Sequence, residues 1–181
     1  MSKSERDEFG FAPGHDEPIP YRRRIRDYYV GLGYGRPYEW AHYADVPFTP
    51  LKKPVSQMRV AMVTTAAPYK EGAGDQGPGA AYNNAAKIFN VYSGDSAGDH
   101  DLRVSHIGID RKHTTATDKN TWFPLPALRE AAAKGLVGEV APRFHGLPTN
   151  RSHKTTLDVD CIELRARLQE DRAEAAIIAG N

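Results

Sequence analysis

Residues 58–65 read MRVAMVTT, and the fold turns on them. Val60, Met62 and Val63 form a β-rich apolar run that releases into Thr64-Thr65-Ala66-Ala67-Pro68, which predicts a first strand opening into a loop. Downstream, LRVSHIGI (102–109) alternates Leu102, Val104 and His106 with more polar neighbours and reads as a second strand. PLPALREAAAKG (124–135) has proline near its start, Leu125, Leu128, Ala131 and Ala132 on one face and Gly135 past the last turn, which predicts a capped helix. LVGEVAPRFHG (136–146) follows as strand plus exit loop. TTLDVDCIELRARLQED (155–171) places Leu157, Cys161, Leu164 and Leu168 on one helical stripe, with Cys161 as a core thiol. EAAIIAGN (174–181) closes as a short buried strand entering a turn.

This order predicts an α/β fold, a mainly parallel, Rossmann-like sheet flanked by helices over residues 58–181. The strand ending at Ala179 implies a further crossover and strand, so the sheet is expected to be completed by a missing or separate C-terminal half. Residues 1–57 read as an N-terminal arm. YRRRIRDYYVGL (21–32) sets Ile25, Tyr28, Tyr29 and Leu32 at helical spacing, and the aromatic, proline-rich segment after it is expected to wrap a surface through Tyr38, Trp40 and Phe48. Residues 69–101 hold six of the 16 glycines, which suits a loop or lid.

The bulk composition narrows the classes of function. The 24 basic and 23 acidic side chains nearly cancel, so no global field draws the chain to nucleic acid or to an anionic membrane. No apolar window is long enough to span a bilayer, and the single cysteine fits a reducing compartment, so a cytoplasmic protein with a small-molecule substrate is expected.

In parallel sheets ligands bind beyond the carboxyl ends of the strands. Thr64, Thr65, His106 and His145 fall there by the strand assignment, with roles in positioning a substrate or donating a proton. His106, Asp110 and His113 are ligand types for a metal, although their spacing matches no strong metal signature. The glycines of GDQGPGAAYNN form no dinucleotide fingerprint and carry no phosphate-loop lysine. No convincing nucleophile is present, so the catalytic candidates reduce to His106 and His145.

The segment PYEWAHYADVPFTPLKKPVSQMRVAMVTTAA (37–67) resembles the glycine/sarcosine/betaine/D-proline reductase selenoprotein B family. The likeness continues in DKNTWFPLPALREAAAKGLVGEVAPRFHGL (118–147), which is similar to the family's Asp-x-Asn, aromatic-Pro step, Leu-Arg-Glu helix and glycine-flanked strand. It spans about residues 20–181 and implies substrate contacts at Asp118 and Asn120. It also implies a selenocysteine or cysteine redox motif directly after a strand like EAAIIAG, so Gly180 and Asn181 are expected beside the active site. The nucleophile is then expected on a second polypeptide or a continuation, whether through processing that leaves a pyruvoyl group, a UGA codon read as stop, or truncation. The chemistry implied is reductive cleavage of a carbon–nitrogen bond in a small amino acid or amine, reset by a dithiol or thioredoxin-like donor. Rival readings are a non-catalytic subunit docking a catalytic partner, a cysteine-dependent lyase or racemase, and a metal hydrolase.

Overall fold

The computed structural model describes residues 20–37, 39, 41, 43–46, 48–77, 80, 83–104, 117–149 and 152–180. The chain divides into two compact units, Met1–Ala44 and Asp45–Asn181. In the first, α1 (Tyr21–Gly31) ends where Gly33 adopts φ 81°, a left-handed conformation that glycine takes without steric cost. Ile25 and Tyr29 of its expected stripe are half-buried, whereas Tyr28 and Leu32 are exposed. Tyr38 and Trp40 lie outside the described residues, and Phe48, in the second unit, is 87% exposed and anchors nothing.

The second unit is mixed α/β, with a mostly parallel sheet flanked by helices. Its central strand is β1 (Arg59–Thr64), with Ala61, Met62, Val63 and Thr64 fully enclosed, as expected of a strand covered on both faces. Thr64 and Thr65 then release the chain into a two-stranded ribbon, β2 (Ala67–Pro68) against β4 (Leu102–Arg103). Between these, β3 (Tyr92–Asp95) runs along the edge of the main sheet.

After α2 (Leu125–Ala133), β5 (Glu139–Val140) and β6 (Arg143–Gly146) both lie parallel to β1 on the same side. They form one strand interrupted by a two-residue bulge, Ala141-Pro142. The Ala141 N–H still reaches Val60 O at 2.8 Å, while Pro142 has no N–H to give and its carbonyl accepts from Ser96 N at 2.9 Å.

A short turn of helix, α3 (His153–Thr155), a π-turn (Thr156–Asp160) and α4 (Cys161–Glu170) then carry the chain to β7 (Ala175–Ala179). β7 pairs parallel with the other side of β1 over five residues, Val60↔Ala175 to Thr64↔Ala179. The order across the sheet is therefore β3, β6 with β5, β1, β7.

Three expectations are corrected. Of the second strand expected at 102–109, only Leu102–Arg103 is strand among the described residues, and it pairs antiparallel with β2 outside the main sheet; residues 105–109 lie outside the described residues. Part of the expected 69–101 loop is β3, because Tyr92 and Gly94 pack against β6 despite a composition typical of loops. Cys161 is exposed rather than core, as is Leu157. Leu164 faces inward as expected, together with Asp160, while the π-turn, with its extra residue per turn, puts Leu157 out of phase with it.

One face of the sheet holds the apolar core. Val60, Met62 and Phe144 pack with Trp122, Phe123, Leu125 and Leu128. α2 presents Leu125 and Leu128 inward and ends at Gly135, φ 72°. The Phe144 ring meets the rings of Phe123 and His100 at 4.7 Å each, and Tyr92 edge-on at 6.1 Å.

Candidate functional site

The carboxyl edge of the sheet forms where β1, β6 and β7 end together. Thr64 pairs with Gly146 on one side and Ala179 on the other, and the Thr65 N–H donates to Ala179 O at 3.2 Å. The Leu147 N–H closes the other flank on Thr64 O at 2.9 Å. Thr64 is fully buried: its hydroxyl donates to Trp122 O at 2.8 Å and accepts from Ala66 N at 3.1 Å, which leaves it a structural role in turning the chain. Thr65 is the partly exposed member of the pair.

The bond to Trp122 also brings in Asp118 and Asn120. Asp118 caps the short 3-10 turn Lys119–Thr121, its Oδ1 accepting from Asn120 N at 2.9 Å, and both side chains are exposed just ahead of Trp122. Gly180 follows Ala179 at the same edge. Thr64, Thr65 and Gly180 thus meet at one end of the sheet, while Asp118 and Asn120 sit on the turn that leads into Trp122. His106, Asp110, His113 and Asn181 lie outside the described residues, and among the described residues no cluster of metal-ligating side chains occurs.

Two groups beside this edge escaped sequence reading. The Tyr92 hydroxyl donates to Ala66 O at 2.7 Å, and burial pushes its pKa up. Its ring covers Gly146 so closely that a Cβ there would stand 1.8 Å from it, so glycine is required. Lys87 reaches Thr149 Oγ1, just past β6, at 3.3 Å, and burial lowers its pKa.

His145 is placed elsewhere than a solvent-facing strand end. It is fully buried on the face opposite the apolar core, inside a polar cluster. Its Nδ1 lies 2.8 Å from Ser93 Oγ of β3, and that oxygen accepts from Arg167 Nη1 of α4 at 2.7 Å. Nε2 lies 3.0 Å from Asp171 Oδ2, off hydrogen-bonding geometry, and neither atom has another hydrogen-bond partner among the described residues.

Asp171 Oδ1 accepts from Arg143 Nε at 2.8 Å, and the same guanidinium reaches Glu170 at 2.9 Å. Burial is the largest influence on the imidazole and pushes its pKa down; the Asp171 charge pulls it up, and Arg143 and Arg167 push it down again. The neutral ring therefore accepts from the Ser93 hydroxyl at Nδ1 and directs its Nε2 proton toward Asp171.

The serine, histidine and aspartate have the order of a nucleophilic relay. With the imidazole sealed from any substrate, it cannot pass a proton to a leaving group, so the cluster holds structure together instead. Among the described residues no helix is long and apolar enough to cross a membrane. No protein-family model, curated protein or solved structure matches the chain.

Proposed function

We propose that this chain is the substrate-binding part of a dithiol-dependent reductase of the selenoprotein B kind, acting on a carbon–nitrogen bond of a small amino acid or related amine. The observation that carries the reading is the junction of Thr65 N–H with Ala179 O. The polypeptide leaving β7 is delivered beside the end of β1, where the family resemblance puts a selenol or thiol pair. Thr65 contacts the substrate at that edge, joined by Asp118 and Asn120 from the turn before Trp122, on a Rossmann-like sheet completed by further strands beyond β7.

In the reaction the selenolate or thiolate pair supplies two electrons, the carbon–nitrogen bond takes up two electrons and two protons, and the resulting selenide–sulfide or disulfide is reduced by an external dithiol. The test is to purify the protein from its native host under reducing conditions with whatever accompanies it. Consumption of glycine, sarcosine, betaine or D-proline is then followed against dithiol oxidised. One dithiol per bond cleaved, with iodoacetamide inactivation that labels a residue other than Cys161, is the expected result. Absence of dithiol-dependent turnover with all four overturns the reading.

A second reading, a non-catalytic subunit that docks a catalytic partner, is favoured by β7, which among the described residues pairs on one side only, with β1. Ile177 and Ile178, on opposite faces of that strand, are 43% and 65% exposed, and the strand carries no charge, proline or bulge to discourage pairing. A stoichiometric second polypeptide without turnover would favour it.

A further inference from the structure

We propose that His145 is an acid-sensitive latch that fastens edge strand β3 and the C-terminal end of α4 to the middle of the sheet. A single buried side chain joins three elements that are far apart in sequence: Ser93 from β3 at 2.8 Å, Asp171 from the end of α4 at 3.0 Å, and β6 itself. Among the described residues β3 pairs with β6 alone as an antiparallel edge, and on this face Ser93 is its link to both the imidazole and Arg167 of α4.

The latch closes only with a neutral ring. Ser93 Oγ already accepts from Arg167, so it donates to Nδ1. Once Nδ1 carries a proton, Ser93 must accept twice and its own hydroxyl proton is left without a partner in a half-buried place. The new charge also faces Arg143 of β6 and Arg167 of α4. Asp171 offsets it from one side, but its Oδ1 is engaged by Arg143, and its contact with Nε2 is poorly directed.

The remaining charged groups around the cluster are already committed. Glu170 pairs with Arg143, Glu163 with Arg167, and Arg59 of β1 donates to the Asp171 carbonyl at 3.0 Å. Asp160 is buried on the preceding π-turn with a partner of its own. From β1 and β7 the neighbouring side chains on this face, Val63, Ala176 and Ile178, carry no titratable group.

The sign follows from burial. The folded imidazole resists protonation that the unfolded one accepts near pH 6.5, so the latch contributes fully above that pH and is lost as pH falls below it. Carboxylates ordinarily titrate near pH 4, so pH 5.5 separates imidazoles from them, and comparison with His145→Gln separates this ring from the other six histidines, His100 beside Asp95 of β3 included.

The test is amide hydrogen exchange of the intact chain at pH 7.5 and 5.5, normalised for intrinsic exchange. Peptides covering Tyr92–Asp95 and Cys161–Glu170 are expected to lose protection below pH 6.5, by up to about tenfold per pH unit. Peptides of β1 and α2 are expected to keep theirs. In His145→Gln the difference between the two pH values disappears. Should that variant not fold, Ser93→Ala, which removes the donor to Nδ1 and so brings the folded imidazole closer to its unfolded behaviour, lowers protection at pH 7.5 and shrinks the difference between the two pH values. No loss in the wild type, an equal loss across all peptides, pH dependence that persists in His145→Gln, or an undiminished difference between the two pH values in Ser93→Ala each overturns the proposal.

Discussion

The two faces of the sheet solve the same packing problem with different chemistry. Toward α2, Val60, Met62 and Phe144 meet Trp122, Phe123, Leu125 and Leu128, an arrangement that depends on shape and on burial of apolar area. Toward α4, His145, Ser93, Asp171, Arg143 and Arg167 form a chain of directional contacts, with Leu164 the buried apolar residue of that helix. The apolar face tolerates changes in pH and responds to lost volume. Its opposite tolerates little change in protonation, and its value lies in fixing which elements sit together.

Substitutions break this contrast at different strengths. Phe144→Ala empties the centre of the apolar face and is expected to cost about 3 to 5 kcal/mol in urea unfolding, equally at pH 7.5 and 5.5. Asp171→Ala leaves Arg143 and His145 without their carboxylate. Because Arg143 remains 36% exposed, the expected loss is smaller, about 2 to 3 kcal/mol at pH 7.5. Thr64→Val keeps the volume but deletes the bond to Trp122 O, for about 1 kcal/mol, and sharpens the comparison by removing a polar tie on the apolar side. Lys134→Ala removes an exposed pair with Glu130 on α2 and is expected to change stability by less than about 0.5 kcal/mol at either pH.

The apolar face was the legible one. The apolar run of β1 and the leucines of α2 with its terminal glycine carry their signal within a dozen residues and form where their patterns predict. β7 also forms in place, but with no buried residue, in contrast to the buried strand expected of its apolar run. β3 was hidden because Tyr-Ser-Gly-Asp has the composition of a turn; it is a strand only because Gly94 lets the Phe144 ring approach, a Cβ there falling 2.4 Å from it. The polar face was almost unreadable. His145 was visible as a residue at a strand end, but Ser93 lies 52 positions away from it and Asp171 follows a helix whose stripe is rotated by the π-turn. At the carboxyl edge the place of Thr64 and Thr65 follows from strand order and Asp118 and Asn120 are singled out only by the family resemblance, whereas the burial of Thr64 depends on a carbonyl from a distant loop.

The bulge at Ala141-Pro142 sets the parity of everything after it. An even number of added residues leaves the alternation intact, so Val140 and Phe144 still point to the same side and His145 to the other. Losing a single residue between Val140 and Arg143 would exchange the two, putting an imidazole among the aromatic rings and a phenyl ring among the guanidinium groups. Both interiors would fail together, from a deletion as small as Pro142, whose exposed side chain belongs to neither. Along this segment the chain can therefore change length in steps of two, and the arithmetic of the backbone, more than the identity of any residue, keeps the two chemistries apart.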